Sequence, residues 1–215
     1  MGLFGMFGKM APKRRESELP RTGPKLSTEG LRLGNYELCV PQGVHSNSGH
    51  VYLEHNLHYS LLMKSHGYLD CDAVVSIDGT KVGVWRIRGN TMIEIERPAD
   101  DSGRFTFYRL GSSQATHIGL SANEDLGLVT VVFMPEKPPP PAPSNEVRFS
   151  PVRHSGGDNA DVKFSPSRGG TGLAGESAQK FGLASPIDYD RTNFITINLR
   201  LVCVDKGPRP LRRSS

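Results

Sequence analysis

The stretch AVVSIDGTKVGVWRI, residues 73–87, leaves this chain few choices of fold. Ala73, Val75 and Ile77 share one face of an extended run. Asp78-Gly79 then supplies the positive φ angles that a tight hairpin turn requires. The returning run sets Val82 and Val84 on one face and Gly83, Trp85 and Ile87 on the other. A period of two on both sides of such a turn predicts an antiparallel pair.

The pattern continues. Gly89-Asn90 reads as the next turn, and TMIEIE follows with Ile93 and Ile95 inward, Glu94 and Glu96 outward. After PADDSG comes RFTFYRL, with Phe105 and Phe107 on one face. Four strands in direct succession, with no room for helical crossovers, read as a meander. YELCV (36–40), HVYLEH (50–55) and HYSLLMK (58–64) precede this block, and GLVTVVFM (127–134) follows it. FITINLRLVCV is the cleanest alternation: Ile195, Ile197, Leu199, Leu201 and Cys203 oppose Thr196, Asn198, Arg200 and Val202. One face of that strand is buried and the other mostly wet. The one helix candidate is a turn or two from Ser112 to His117.

Three segments stand outside this pattern. Residues 1–33 hold Pro12, Pro20 and Pro24 without any sustained period and read as an extended basic arm. Residues 136–172 begin with a proline run that favours a stiff spacer and continue Gly- and Ser-rich, too polar to order themselves. They contain RFSP (148–151) and its echo KFSP (163–166). GGTGLAG (169–175) resembles a phosphate loop but lacks the Lys-Ser/Thr ending, and reads as a flexible loop rejoining the fold. Residues 205–215 form a basic tail. With 24 Gly, 16 Pro and 36% apolar residues, the chain fits a normal core diluted by loops and arms. The expected fold is all-β: a single antiparallel β-sandwich, jelly-roll-like, over residues 34–204, interrupted by the 136–172 insertion.

The residue types of common active sites are present but not assembled. His45, His50, His55, His58 and His66 fall within a short span, yet no HxH pair sets two imidazoles on one face, so they read as surface or edge histidines. Asp70 and Asp72 flank Cys71 on one face, which reads as an ordinary Asp-rich corner. No Gly-x-Ser-x-Gly elbow exists. The basic and aromatic residues Arg104, Phe105, Phe107, Tyr108 and Arg109 alternate as in any half-buried strand. No enzyme, cofactor, metal site or small-molecule substrate is expected. Cys39, Cys71 and Cys203, odd in number and without a signal peptide, predict free thiols in a reducing compartment, the cytoplasm or nucleus. No apolar run approaches the ~18 residues of a membrane span.

The runs VSIDGTKVGVWRIRGNTMIEIERP (75–98), GRFTFYRL (103–110), LGLVTVVFMPE (126–136) and DYDRTNFITINLRLVC (188–203) resemble a family of β-rich proteins of large double-stranded DNA viruses, mimivirus-like ones among them. The resemblance implies a particle component located in the virion or the host cytoplasm or nucleus. It carries no catalytic residues.

The chain opens MGLFGMFGKMAPKRR, and its candidate contact residues are Leu3, Phe4, Phe7, Lys13, Arg14 and Arg15. The apolar members suit a neighbouring subunit or an interfacial helix. The basic members, with those of the tail, suit anionic membrane or nucleic acid. The expected function is a non-enzymatic structural or assembly protein that ties subunits through its arm and insertion. The alternative is a carbohydrate- or ligand-recognition sandwich module.

Overall fold

The computed structural model describes residues 26–27, 29–139 and 166–204. These residues form strands β1 (Leu26–Ser27), β2 (Leu31–Leu33), β3 (Tyr36–Cys39), β4 (Val44–Ser46), β5 (His50–Glu54), β6 (Leu57–His58), β7 (Leu61–Ser65), β8 (Cys71–Ile77), β9 (Thr80–Ile87), β10 (Met92–Ile95) and β11 (Gly103–Arg109). Helix α1 (Ser113–His117) and strands β12 (Leu128–Pro135), β13 (Pro166–Glu176) and β14 (Ile195–Val204) complete them. The fold is the expected all-β sandwich. The larger sheet runs β1-β4-β5-β14-β12-β8-β9, with β13 branching from β14 and carrying β11, which in turn pairs β6. The smaller sheet runs β10-β7-β3-β2.

Local chemistry sets the elements. At the β8–β9 hairpin, Asp78 and Gly79 adopt φ of 51° and 78°. The Asp78 carboxylate also accepts the backbone N–H groups of Gly127 at 2.5 Å and Thr171 at 2.6 Å, so one turn ties β12 and β13 together. Burial raises the Asp78 carboxyl above its ordinary value despite those two donors. Ser112 caps α1 by accepting the Ala115 N–H at 3.1 Å. Along β14, Ile197, Leu199, Leu201 and Cys203 are buried while Thr196 and Asn198 are exposed, as the alternation predicts. This strand lies inside the sheet, antiparallel to β12 and parallel to β5, the one parallel pair among the described strands. A single hydrophobic cluster takes residues from Tyr36 to Cys203, on both sides of the proline-rich stretch. Tyr36 of the small sheet stacks on Phe133 of the large one, ring centroids 4.6 Å apart.

Two expectations require correction. The four successive strands do not form a meander: β8 pairs β9, but β10 pairs β7 in the other sheet, and β11 pairs β13 and β6. The turn after β9 is held by Asp70, whose carboxylate accepts the Gly89 N–H at 3.0 Å, and by the Gly67 carbonyl, which accepts the Asn90 N–H at 2.7 Å. These bonds carry β10 to the second layer, where its inward isoleucines face the common core. The second correction concerns GGTGLAG, which is strand and not loop: Thr171 pairs Phe107 and Leu173 pairs Phe105. The glycines are packing requirements. A Cβ at Gly169 would overlap the Phe107 ring, and one at Gly172 would meet Ile118 and the Tyr108 ring. Residues 166–172 therefore belong to the sheet, and the segment 140–165, which includes RFSP and most of KFSP, lies outside the described residues.

Candidate functional site

Strand β9 ends the large sheet and β10 ends the small one. Between these two edges lies a cleft of about 840 Å³. Val84, Trp85 and Arg86 of β9 form one wall and Ile93 to Ile95 of β10 the other, while residues 179–189 cross it as a strap.

The strap is fastened at both ends. At one, the Gln179 side-chain amide substitutes for a neighbouring strand: its oxygen accepts the Glu96 N–H at 3.0 Å and its nitrogen donates to the Glu94 carbonyl at 2.9 Å. Arg97 donates to the Gln179 carbonyl from Nε at 3.1 Å and from Nη2 at 2.7 Å, and its guanidinium lies 4.2 Å above the Phe181 ring. At the other end, Asp72 receives Arg86 Nε at 2.5 Å and Nη2 at 3.2 Å, together with the Tyr189 hydroxyl at 2.6 Å. Arg86 Nη2 also donates to the Ser185 carbonyl at 3.0 Å. Burial alone would raise the Asp72 carboxyl, but the Arg86 and Tyr189 hydrogen bonds and the Arg86 charge outweigh it and hold the group below its ordinary value. The hydrogen bond to Asp72 in turn pushes the Tyr189 phenol up.

Between these anchors the strap is open to solvent. Phe181 is partly exposed and Leu183 wholly so. Phe181 meets the edge of Trp85, centroids 5.7 Å apart with planes at 76°. Trp85 is 7% exposed, as a core residue should be, yet its buried indole Nε1–H has no acceptor among the described residues. A buried donor without a partner costs ~1–3 kcal/mol. With Val84, Trp85 and Ile93 as apolar walls, the cleft suits an extended segment bringing an apolar or aromatic side chain.

The other candidate side chains are dispersed. His45 is buried, not at the surface: Val40 N lies 3.0 Å from its Nε2, and burial holds the imidazole below its ordinary value against the Val40 bond. His66 pairs with Glu37 at 3.0 Å and His58 with the Thr106 hydroxyl at 2.7 Å. Asp70 and Asp72 serve a turn and the strap anchor respectively. Cys39, Cys71 and Cys203 are buried and form no disulfide, and burial raises Cys71 to about 12. Among the described residues no three His, Cys, Asp or Glu side chains are grouped to hold a metal ion, and no helix is long and apolar enough to cross a membrane. Leu3, Phe4, Phe7, Lys13, Arg14 and Arg15 lie outside the described residues. Gln179, Phe181 and Tyr189 were not singled out from the sequence, because KFGLASPIDY has no period that ties it to any strand.

No protein-family model, curated protein or solved structure matches the chain, and these comparisons supply no link to viral proteins.

Proposed function

We propose that the protein is a non-catalytic assembly module whose β9–β10 cleft receives the Gly- and Phe-rich arm, residues 2–10, of a second copy. The observation that carries this reading is the cleft itself, walled by Val84, Trp85 and Ile93 where the edges of the two sheets meet. An extended GLFGMFG segment suits these apolar walls. Its glycines let the backbone approach closely, and Leu3, Phe4 or Phe7 supplies the apolar filling. Topology supports exchange between copies. Strand β1, into which the arm leads, pairs β4 at one edge of the large sheet, while the cleft opens at the other. Copies joined arm to cleft associate head to tail, which builds rings or open chains. A carbohydrate-binding module would use flat aromatic faces open to solvent; the one tryptophan here is buried, and Tyr68 is the aromatic most open to solvent among the described residues. The virus particle implied by the sequence resemblance is the setting we propose for this assembly.

The test is the mass in solution of the full chain and of a variant lacking residues 2–10, by light scattering. The proposal expects a concentration-dependent oligomer for the full chain and a monomer for the deletion. Equal masses for the two proteins would rule out arm exchange.

A further inference from the structure

We propose that a second hollow, on the outer face of the large sheet and away from the cleft, is a binding site for a small phosphomonoester. It encloses about 650 Å³ between β5, β14, the start of β13 and the loop at Glu124–Leu126. That volume lies within the range of pockets that hold small ligands. Arg200 pairs His50 across the parallel β14–β5 ladder, and Arg168 pairs Val202 across β13–β14. Side chains of one face repeat every second residue, so Arg200 and Val202 point the same way and Arg168 is Arg200's diagonal neighbour.

Both guanidiniums are positioned without being neutralised. Arg200 Nη1 donates to the Glu124 and Leu126 carbonyls, each at 2.8 Å. Those bonds occupy one corner of the fork and leave Nε and Nη2, the edge that grips an oxyanion with two parallel bonds. Arg168 Nη2 donates to the Asn123 carbonyl. Neither has a carboxylate within ion-pair distance among the described residues. Of the carboxyl groups in this part of the fold, Glu124 is exposed on the rim, Glu54 follows His50 and Tyr52 on the same face of β5, and Asp78 is buried in its turn and coupled to Arg200 through space. His50 adds a third polar group, oriented by the Ser48 hydroxyl 2.9 Å from its Nδ1. Tyr52, Leu126 and Val202 give the hollow an apolar side large enough for the body of the ligand. Two fixed positive charges over an apolar floor match the dianion of a phosphate ester better than a monoanionic carboxylate.

Phenyl phosphate titrated into the full chain, read from the Arg Nε–H resonances by NMR, tests the site, with phosphatidate-containing vesicles as the second arm. Saturable shifts at Arg168 and Arg200 with phenyl phosphate support a free ester. Flotation with phosphatidate vesicles that depends on the same two residues supports a lipid headgroup. Arg168→Gln should weaken binding by about tenfold, as the loss of a charge-assisted pair implies, and Arg168→Gln with Arg200→Gln should remove it. Arg200 also holds the Glu124–Leu126 loop, so the exposed Arg168 is the decisive single variant. The proposal is overturned if neither probe binds. It is equally overturned if the double variant, with an unchanged melting temperature, binds as the parent does, since the basic arm and tail would then be the anion sites.

Discussion

Asp72 and Arg86 face each other across the β8–β9 pair, the carboxylate taking Nε at 2.5 Å and Nη2 at 3.2 Å, with both side chains largely buried. Arg86 passes the linkage on to the Ser185 carbonyl, so the pair fixes sheet edge and strap at once. Removing one member of such a pair leaves an uncompensated buried charge. Arg86→Gln should therefore cost about 3 kcal/mol in urea unfolding, and Asp72→Asn with Arg86→Gln less than the sum of the single changes. Because Asp72 lies below its ordinary value in the fold, its contribution is complete above ~4 and is lost as pH falls through the folded value.

His45 gives a separate pH signature at milder acidity. Its folded pKa is lowered by burial, so the unfolded chain binds the proton first as pH drops below ~6.5. Stability should fall between pH 7 and 5. His45→Gln should flatten that slope, as denaturant midpoints measured across the range would reveal.

The glycines of β13 and of the strap should behave oppositely. Gly172→Val drives a side chain into Ile118 and Tyr108 and should destabilise by at least ~1–3 kcal/mol. Gly182 has nothing within 4 Å of an added Cβ. Gly182→Ala should therefore be neutral or gain up to ~1 kcal/mol by restricting the unfolded chain. Thermal melts of the two variants distinguish packing glycines from conformational ones.

These two sites also mark where the sequence was legible. The hairpin at Asp78-Gly79, the alternation of β14 and the short helix between Ser112 and His117 depend on neighbours in sequence, and all three are found as expected. Strand partners depend on residues far away. Nothing in TMIEIE announces that its turn will be held by Gly67 and Asp70 and carried to the other sheet. Glycine carries an ambiguous signal, since the residue that loosens a loop also admits a Phe107 ring against a strand. The cleft was less legible still. The alternation of β9 sets Trp85 with Ile87 on one face, but the strap that lies across it comes from residues 179–189, almost a hundred positions along the chain.

The closing strand should be indispensable and the proline-rich segment dispensable. Ile197, Leu199, Leu201, Cys203 and Val204 are all buried, and the larger of them are worth roughly 1.5–3 kcal/mol each. A chain ending at Pro138 loses β13 and β14 and should not melt cooperatively. Replacing residues 140–165 by a Gly/Ser linker of about half that length should change stability by only ~0.6 kcal/mol, because closure entropy varies with the logarithm of loop length.

The most direct measurement is the Trp85 indole N–H resonance in the protein lacking residues 2–10, followed as a peptide of residues 1–12 is added. The account predicts a saturable shift as the peptide's aromatic rings pack beside Trp85 in the cleft, abolished when Phe4 and Phe7 of the peptide are replaced by Ser. A resonance that stays in place throughout the titration would contradict it.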